Sequence, residues 1–195
     1  MRVTLRRNSY QLVAVAAGLI GLLALGTRGQ NTSDQKLDQG SSEMLKSADM
    51  AFAMTAAQAG VAEVQMGKLA AEKANNADVK AFGRHMVADH TKANEDLKSV
   101  AEKKRMTLPT DMNAHQHATY RKLEKLSGSA FDRAYTKDMV KEHQHDAKEF
   151  QKEVKKGKDE DIKGFASRTL PVLREHLEKI RSIESELKQS GSSTK

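Results

Sequence analysis

From Ser47 to Leu187 the apolar residues return every three or four positions, in four stretches each about eight helical turns long. The first stripe is Phe52, Ala56, Ala59, Glu63, Met66 and Ala70; the second is Val79, Phe82, Met86, His90, Ala93, Leu97 and Val100. The third is Phe131, Tyr135, Met139, His143, Phe150 and Val154, and the fourth is Ala166, Thr169, Leu173, His176, Ile180, Ile183 and Leu187. Between the stripes stand Ala, Lys, Glu, Gln, Met and Leu, all strong helix formers. Strand signals are missing: only 3 Tyr and 5 Phe occur in 195 residues, with no Trp. Sandwiches, barrels and βαβ folds are therefore excluded, and an apolar content of 38% suffices for one core.

The punctuation bounds these helices. Asn76 or Asp78 caps the second, Leu108-Pro109 breaks the chain after it, and a shorter helix is predicted over about Asn113 to Leu126. Ser129, with Asp132 three residues on, is the expected cap of the third; Gly157 closes it and Asp159 opens the fourth, in which Pro171 predicts a kink or restart. The bundle domain is thus expected over residues 46–188. Residues 27–45 read as a polar, flexible spacer and 189–195 as a disordered tail.

Residues 1–26 have another logic. Arg2, Arg6 and Arg7 precede an apolar run from Leu12 to Leu25, and Ala24-Leu25-Gly26 is a small-x-small site. This is the layout of a signal peptide, and implies export to the periplasm or cell envelope of a bacterium, with an uncleaved anchor as the alternative. No Cys is present, which excludes a lipoprotein anchor, disulfides, Cys-ligated zinc, Fe–S clusters and thiol catalysis. Loss of the three arginines lowers the formal charge from +7 to +4. The remaining charges alternate in sign, as on a solvated helix face, and no aromatic residues interleave the basic ones. Nucleic acid is not an expected partner; an anionic envelope polymer or a membrane surface is.

Lengths predict the topology. The second long helix spans about 40 Å, and residues 106–128 are far too many for a tight turn, so they can carry the chain back along the bundle. The second and third long helices are then parallel. An all-α, ferritin-like four-helix bundle with one long crossover containing a short helix is the expected fold.

Those parallel helices share a motif. Phe82-x-x-x-Met86-Val87-x-Asp89-His90 returns as Tyr135-x-x-x-Met139-Val140-x-Glu142-His143, with six of nine positions alike. Glu63, His90, His143 and His176 each fall on an apolar stripe, at a depth read as about 20–26 Å from the same end of the bundle. Burying such groups is costly unless they are paired or bind an ion. They are the candidate ligands of a metal, with Asp89, Glu142, Met86, Met139 and Asp146 as supporting or extra ligands. Imidazole with carboxylate suits Fe, Mn, Zn or Cu, and thioethers would tilt the choice to copper. The alternative is a structural His/Glu hydrogen-bond network with methionines filling the core. A standard di-iron centre is not supported, because Val87, Val140 and Leu173 stand three residues before the three histidines. His85, His115, His117 and His145 read as surface histidines.

With Gly60, Gly67, Lys80, Asn94, Gly128, Thr169-Leu170-Pro171 and His176-Leu177 added to these residues, the chain from about 46 to 187 resembles the exported bacterial family called domain of unknown function 4142, often labelled a membrane protein. The resemblance implies a ferritin-like bundle and supplies no activity. Nothing after Leu25 is apolar enough to span a bilayer, so that label reflects the leader. The function expected is that of an exported protein binding a metal in the bundle core, for storage, buffering or stress protection. The alternative is a non-catalytic envelope protein that binds a partner or anionic polymer through its surface. An enzyme acting without metal is the weakest reading: no nucleophile motif or phosphate loop is present.

Overall fold

The computed structural model describes the backbone of residues 32–192 and the side chains of residues 48–190. The expected leader, the start of the spacer and residues 193–195 lie outside the described residues. Within them the chain forms five helices and no strand: α1 (Thr32–Lys73), α2 (Ala77–Lys103), α3 (Ala114–Glu124), α4 (Gly128–Lys156) and α5 (Glu160–Ser192). None of these helices is long and apolar enough to cross a membrane.

Local chemistry sets most of the boundaries. Asn76 caps α2, its side-chain oxygen accepting from the Asp78 and Val79 N–H groups at 2.8 and 3.1 Å. Asn113 and Gln116 form a reciprocal capping box on α3. Asp159 Oδ1 accepts from the Asp161 and Ile162 N–H groups and opens α5. At the end of α2, Arg105 adopts a left-handed φ of 53°, while the N–H groups of Arg105 and Met106 donate back to Glu102 and Ala101.

The structure departs from the sequence reading at three places. α1 already begins at Thr32, in place of an unstructured spacer, because no proline interrupts the stretch upstream of the packed segment and propagation costs little once a helix is nucleated. α5 likewise continues through Ser192 into the expected tail, with Ser190 Oγ donating to the Glu186 carbonyl. Pro171 lies inside this one helix, which does not restart there. Finally, α4 begins two residues early: Ser127, not Ser129, is its cap residue and makes no side-chain bond. Asp132 serves another element instead, accepting from the Asn75 and Asn76 N–H groups at 3.0 and 2.9 Å.

That carboxylate reveals the topology. It ties the start of α4 to the α1–α2 turn, and Lys73 Nζ donates to the Glu124 carbonyl at the same end. At the other end Asp49 of α1 accepts from the Lys158 and Asp159 N–H groups at 3.0 and 2.6 Å. Lys104, just past α2, pairs there with Asp159 and Asp161 at 2.7 and 2.8 Å. α2 and α4 therefore run parallel, and residues 104–127, with α3, form the crossover of a ferritin-like bundle. α1 packs on α2 and α4, and α5 on the same two helices.

Two clusters make the core. One lies towards the α1–α2 turn and includes Met66, Val79, Phe82, Met86, Phe131, Tyr135, Met139 and Ile180. The other lies towards the α4–α5 turn and includes Ala53, Leu97, Val100, Phe150, Ile162, Phe165 and Leu173. α1 and α2 approach closely at Gly67 and Gly83: a Cβ on either would sit 2.8 or 2.7 Å from the other's carbonyl oxygen.

Candidate metal centre

Between the two apolar clusters lies a polar layer: Glu63 from α1, His90 from α2, His143 from α4 and His176 from α5, none more than 5% exposed. The Gly67–Gly83 contact, one turn beyond Glu63 and two turns before His90, brings these two side chains together, with His90 Nδ1 to Glu63 Oε2 at 2.9 Å. Glu63 Oε1 lies 3.6 Å from His143 Nε2. The imidazole ring centres are 5.3–5.8 Å apart. The sequence reading measured all four depths from one end. The two hairpin turns in fact lie at opposite ends, and the residues coincide because each histidine sits near the midpoint of its helix and Glu63 near the middle of the part of α1, Asp49–Lys73, that packs between the two ends.

One nitrogen of each ring is engaged, and the partner dictates the tautomer. His143 Nδ1 donates to the Met139 carbonyl at 3.1 Å, and a carbonyl only accepts, so Nε2 carries the lone pair. His176 Nε2 donates to Asp89 Oδ2 at 2.9 Å, leaving Nδ1 with the lone pair. His90 Nδ1 donates to Glu63. The three remaining nitrogens, His90 Nε2, His143 Nε2 and His176 Nδ1, are buried and have no hydrogen-bond partner. One ligand atom from each of these histidines lies within 4.8 Å of the other two. The centre of a triangle of that side is about 2.8 Å from each corner, against about 2.0–2.1 Å for a Zn–N bond, so each ring need move inward by about 0.7 Å or less.

Electrostatics favours the same protonation states. Burial holds His143 down to about 4 and lowers His176 as well, so both rings are neutral at pH 7. Burial would raise the Glu63 carboxyl, but the surrounding histidines, His90 first, outweigh it and keep the group an anion. Burial, followed by the charge of Glu63, pushes Asp146 up to about 9. Asp146 thus keeps its proton at neutral pH.

The other sequence candidates are distributed differently. Asp89 orients His176 from a half-exposed position. Glu142 is half-buried and makes no hydrogen bond to the three histidines among the described residues; burial raises its carboxyl, and His115 works against the shift. Met86 and Met139 are fully buried in the cluster below the layer, beside Phe82, whose ring meets those of His143 and His176 edge-on. The Tyr135 hydroxyl, also buried there, has no partner and is pushed up by burial. His85, His115 and His145 are exposed, and His117 is paired with Asp111 at 3.2 Å. Sequence reasoning missed the buried carboxyls Asp49 and Glu153, which face each other at the far end of α1 and α4. Their signal was readable: Glu153 falls three residues after Phe150, on the buried side of its helix.

Fold and layer together define a class, a ferritin-like helical bundle with a carboxylate–histidine core. The chain belongs to the family described as domain of unknown function DUF4142, whose signature matches residues 34–183. No curated protein sequence matches it. Among solved structures it is similar to a DUF305 protein from Streptomyces coelicolor described as secreted, at 13% identity and a TM-score of 0.63, over 72% of this chain and 92% of that one. A DUF305 fragment from Deinococcus radiodurans is similar at 11% identity and a TM-score of 0.62, over 73% and 96%. At such identities the likeness concerns the fold.

Proposed function

We propose that this protein binds one first-row transition-metal ion in the middle of its bundle, through His90, His143 and His176, with Glu63 as the fourth ligand or the group that orients His90. The observation that carries this reading is the convergence of three buried imidazoles, each held by a partner on one nitrogen and left without one on the other. Leaving each unsatisfied costs about 1–3 kcal/mol, and one cation satisfies all three. A structural network would point ring N–H groups at the lone pairs instead. Neutral nitrogen donors with one carboxylate favour Cu²⁺ and Zn²⁺ over Fe²⁺ and Mn²⁺. Asp89 and the Met139 carbonyl are the outer partners that such imidazole ligands characteristically have.

A site of action outside the cytoplasm, in the periplasm or envelope, fits the leader-like segment, and the likeness to a protein described as secreted supports export. Storage, buffering or protection against excess metal is the role such a closed site serves. Elemental analysis of the purified protein, beside Zn²⁺ and Cu²⁺ titrations, tests the reading. About one ion per chain is expected, with binding abolished in His90→Ala, His143→Ala and His176→Ala. Metal-free protein with no thermal stabilisation by added ions would overturn it.

A further inference from the structure

We propose that the ion reaches the three histidines through the groove between α1 and α4, and that Asp146 is the ligand that passes it inward; this rests on the metal-binding reading above. The groove is an open depression of about 640 Å³, and small residues of α1, among them Ala48, Ala51 and Ala56, keep it open. Behind it is a cavity of about 20 Å³ bounded by Glu63 and His90, room for one water or one ion. Groove and cavity share Ala56, Asp146 and Phe150, so a single layer of side chains separates solvent from Glu63. Asp146 is the one carboxyl that borders both.

Two buried oxygens mark the way. Glu153 Oε1 in the groove wall and Glu63 Oε1 at the cavity have no hydrogen-bond partner, on side chains only 7% and 5% exposed. Glu149 adds a third carboxylate, half-buried on the groove wall and held by Lys152 at 3.3 Å in an exposed pair that an incoming cation can replace. An incoming hydrated cation thus meets oxygen ligands in succession, Asp146 giving up its proton to groove water as the ion reaches it, and ends at nitrogen ligands that hold it more tightly. The groove between α2 and α5, an open depression of about 530 Å³, also borders His90, but two of its carboxylates are already engaged. Arg168 holds Asp96 at 2.8 and 3.2 Å, and Asp89 is bonded to His176.

Stopped-flow mixing of the purified protein with Co²⁺, followed by its visible absorption on coordination, tests the path. Asp146→Asn should slow loading and release together, by about tenfold, with little change in Kd; Glu149→Lys should slow loading about threefold at low salt and converge on wild type at high salt. Asp96→Asn, on the opposite groove, should load at the wild-type rate. If wild type binds Co²⁺ but both α1–α4 groove variants load at its rate, or Asp96→Asn slows loading as much as they do, the path is overturned and the site stands. If wild type binds no Co²⁺, the site and the path fall together.

Discussion

At the scale of single residues, this bundle is unusual for how many ionisable groups it buries near its axis and for how their titrations oppose one another. His143 carries its proton only below about 4 in the folded chain, against an ordinary value of 6.5. The unfolded chain therefore binds protons first, and this contribution to stability is lost as pH falls through that window. Glu153 behaves oppositely. Burial and the neighbouring Asp49 push it from 4.5 up to about 7, so the folded chain binds the proton first and stability drains as pH rises between those values. Glu153→Gln should accordingly melt at a higher temperature than wild type at pH 8 and at the same temperature at pH 4. Thermal melts of the metal-free proteins at the two pH values check this, and an equal gain at both would show that packing, not charge, is responsible.

At the scale of elements, the α1–α2 pair sets the geometry that the site depends on. Alanine at position 83 would improve helix propensity by about 1 kcal/mol, yet its Cβ would lie 2.7 Å from the Gly67 carbonyl oxygen and 2.8 Å from the Ala71 nitrogen. Backbone cannot step aside as a side chain can. Gly83→Ala is therefore expected to cost about 1–3 kcal/mol net, and to weaken ion binding by spreading the 2.9 Å Glu63–His90 pair. Gly164→Ala is the matched control, because its Cβ meets only the flexible end of Arg168 at 3.3 Å. It should be neutral or stabilising by up to about 1 kcal/mol. Urea unfolding of both variants, with a Zn²⁺ titration of each, separates propensity from contact.

At the scale of the whole molecule, Asp132 joins the two halves of the fold by accepting two backbone N–H groups from the α1–α2 turn. Asp132→Ala should cost about 1–3 kcal/mol. Because the ion would bind the folded chain alone, Zn²⁺ at about a hundred times its Kd returns about 2.7 kcal/mol and should restore most of the loss. The same addition should leave His143→Ala unchanged, and calorimetry with and without Zn²⁺ distinguishes the two.

How much of this was legible beforehand divides along a physical line. Helix content, most boundaries and the buried stripes follow from periodicity and capping chemistry, which act within a few residues and so are written locally. The crossover could be argued from lengths, since residues 106–128 have to travel somewhere. The convergence of Glu63, His90, His143 and His176 could be expected from their similar distances to the nearest hairpin turn and their place on the apolar stripes, although the two turns lie at opposite ends. What no local pattern holds is orientation across helices. That Asp132 caps a different hairpin, that Asp89 rather than Glu142 bonds a site histidine, and that Glu153 meets Asp49 are facts of contacts between distant segments. The direction of each imidazole lone pair belongs with them: it is decided by which acceptor the other ring nitrogen finds, and those acceptors are assembled only when the four helices pack.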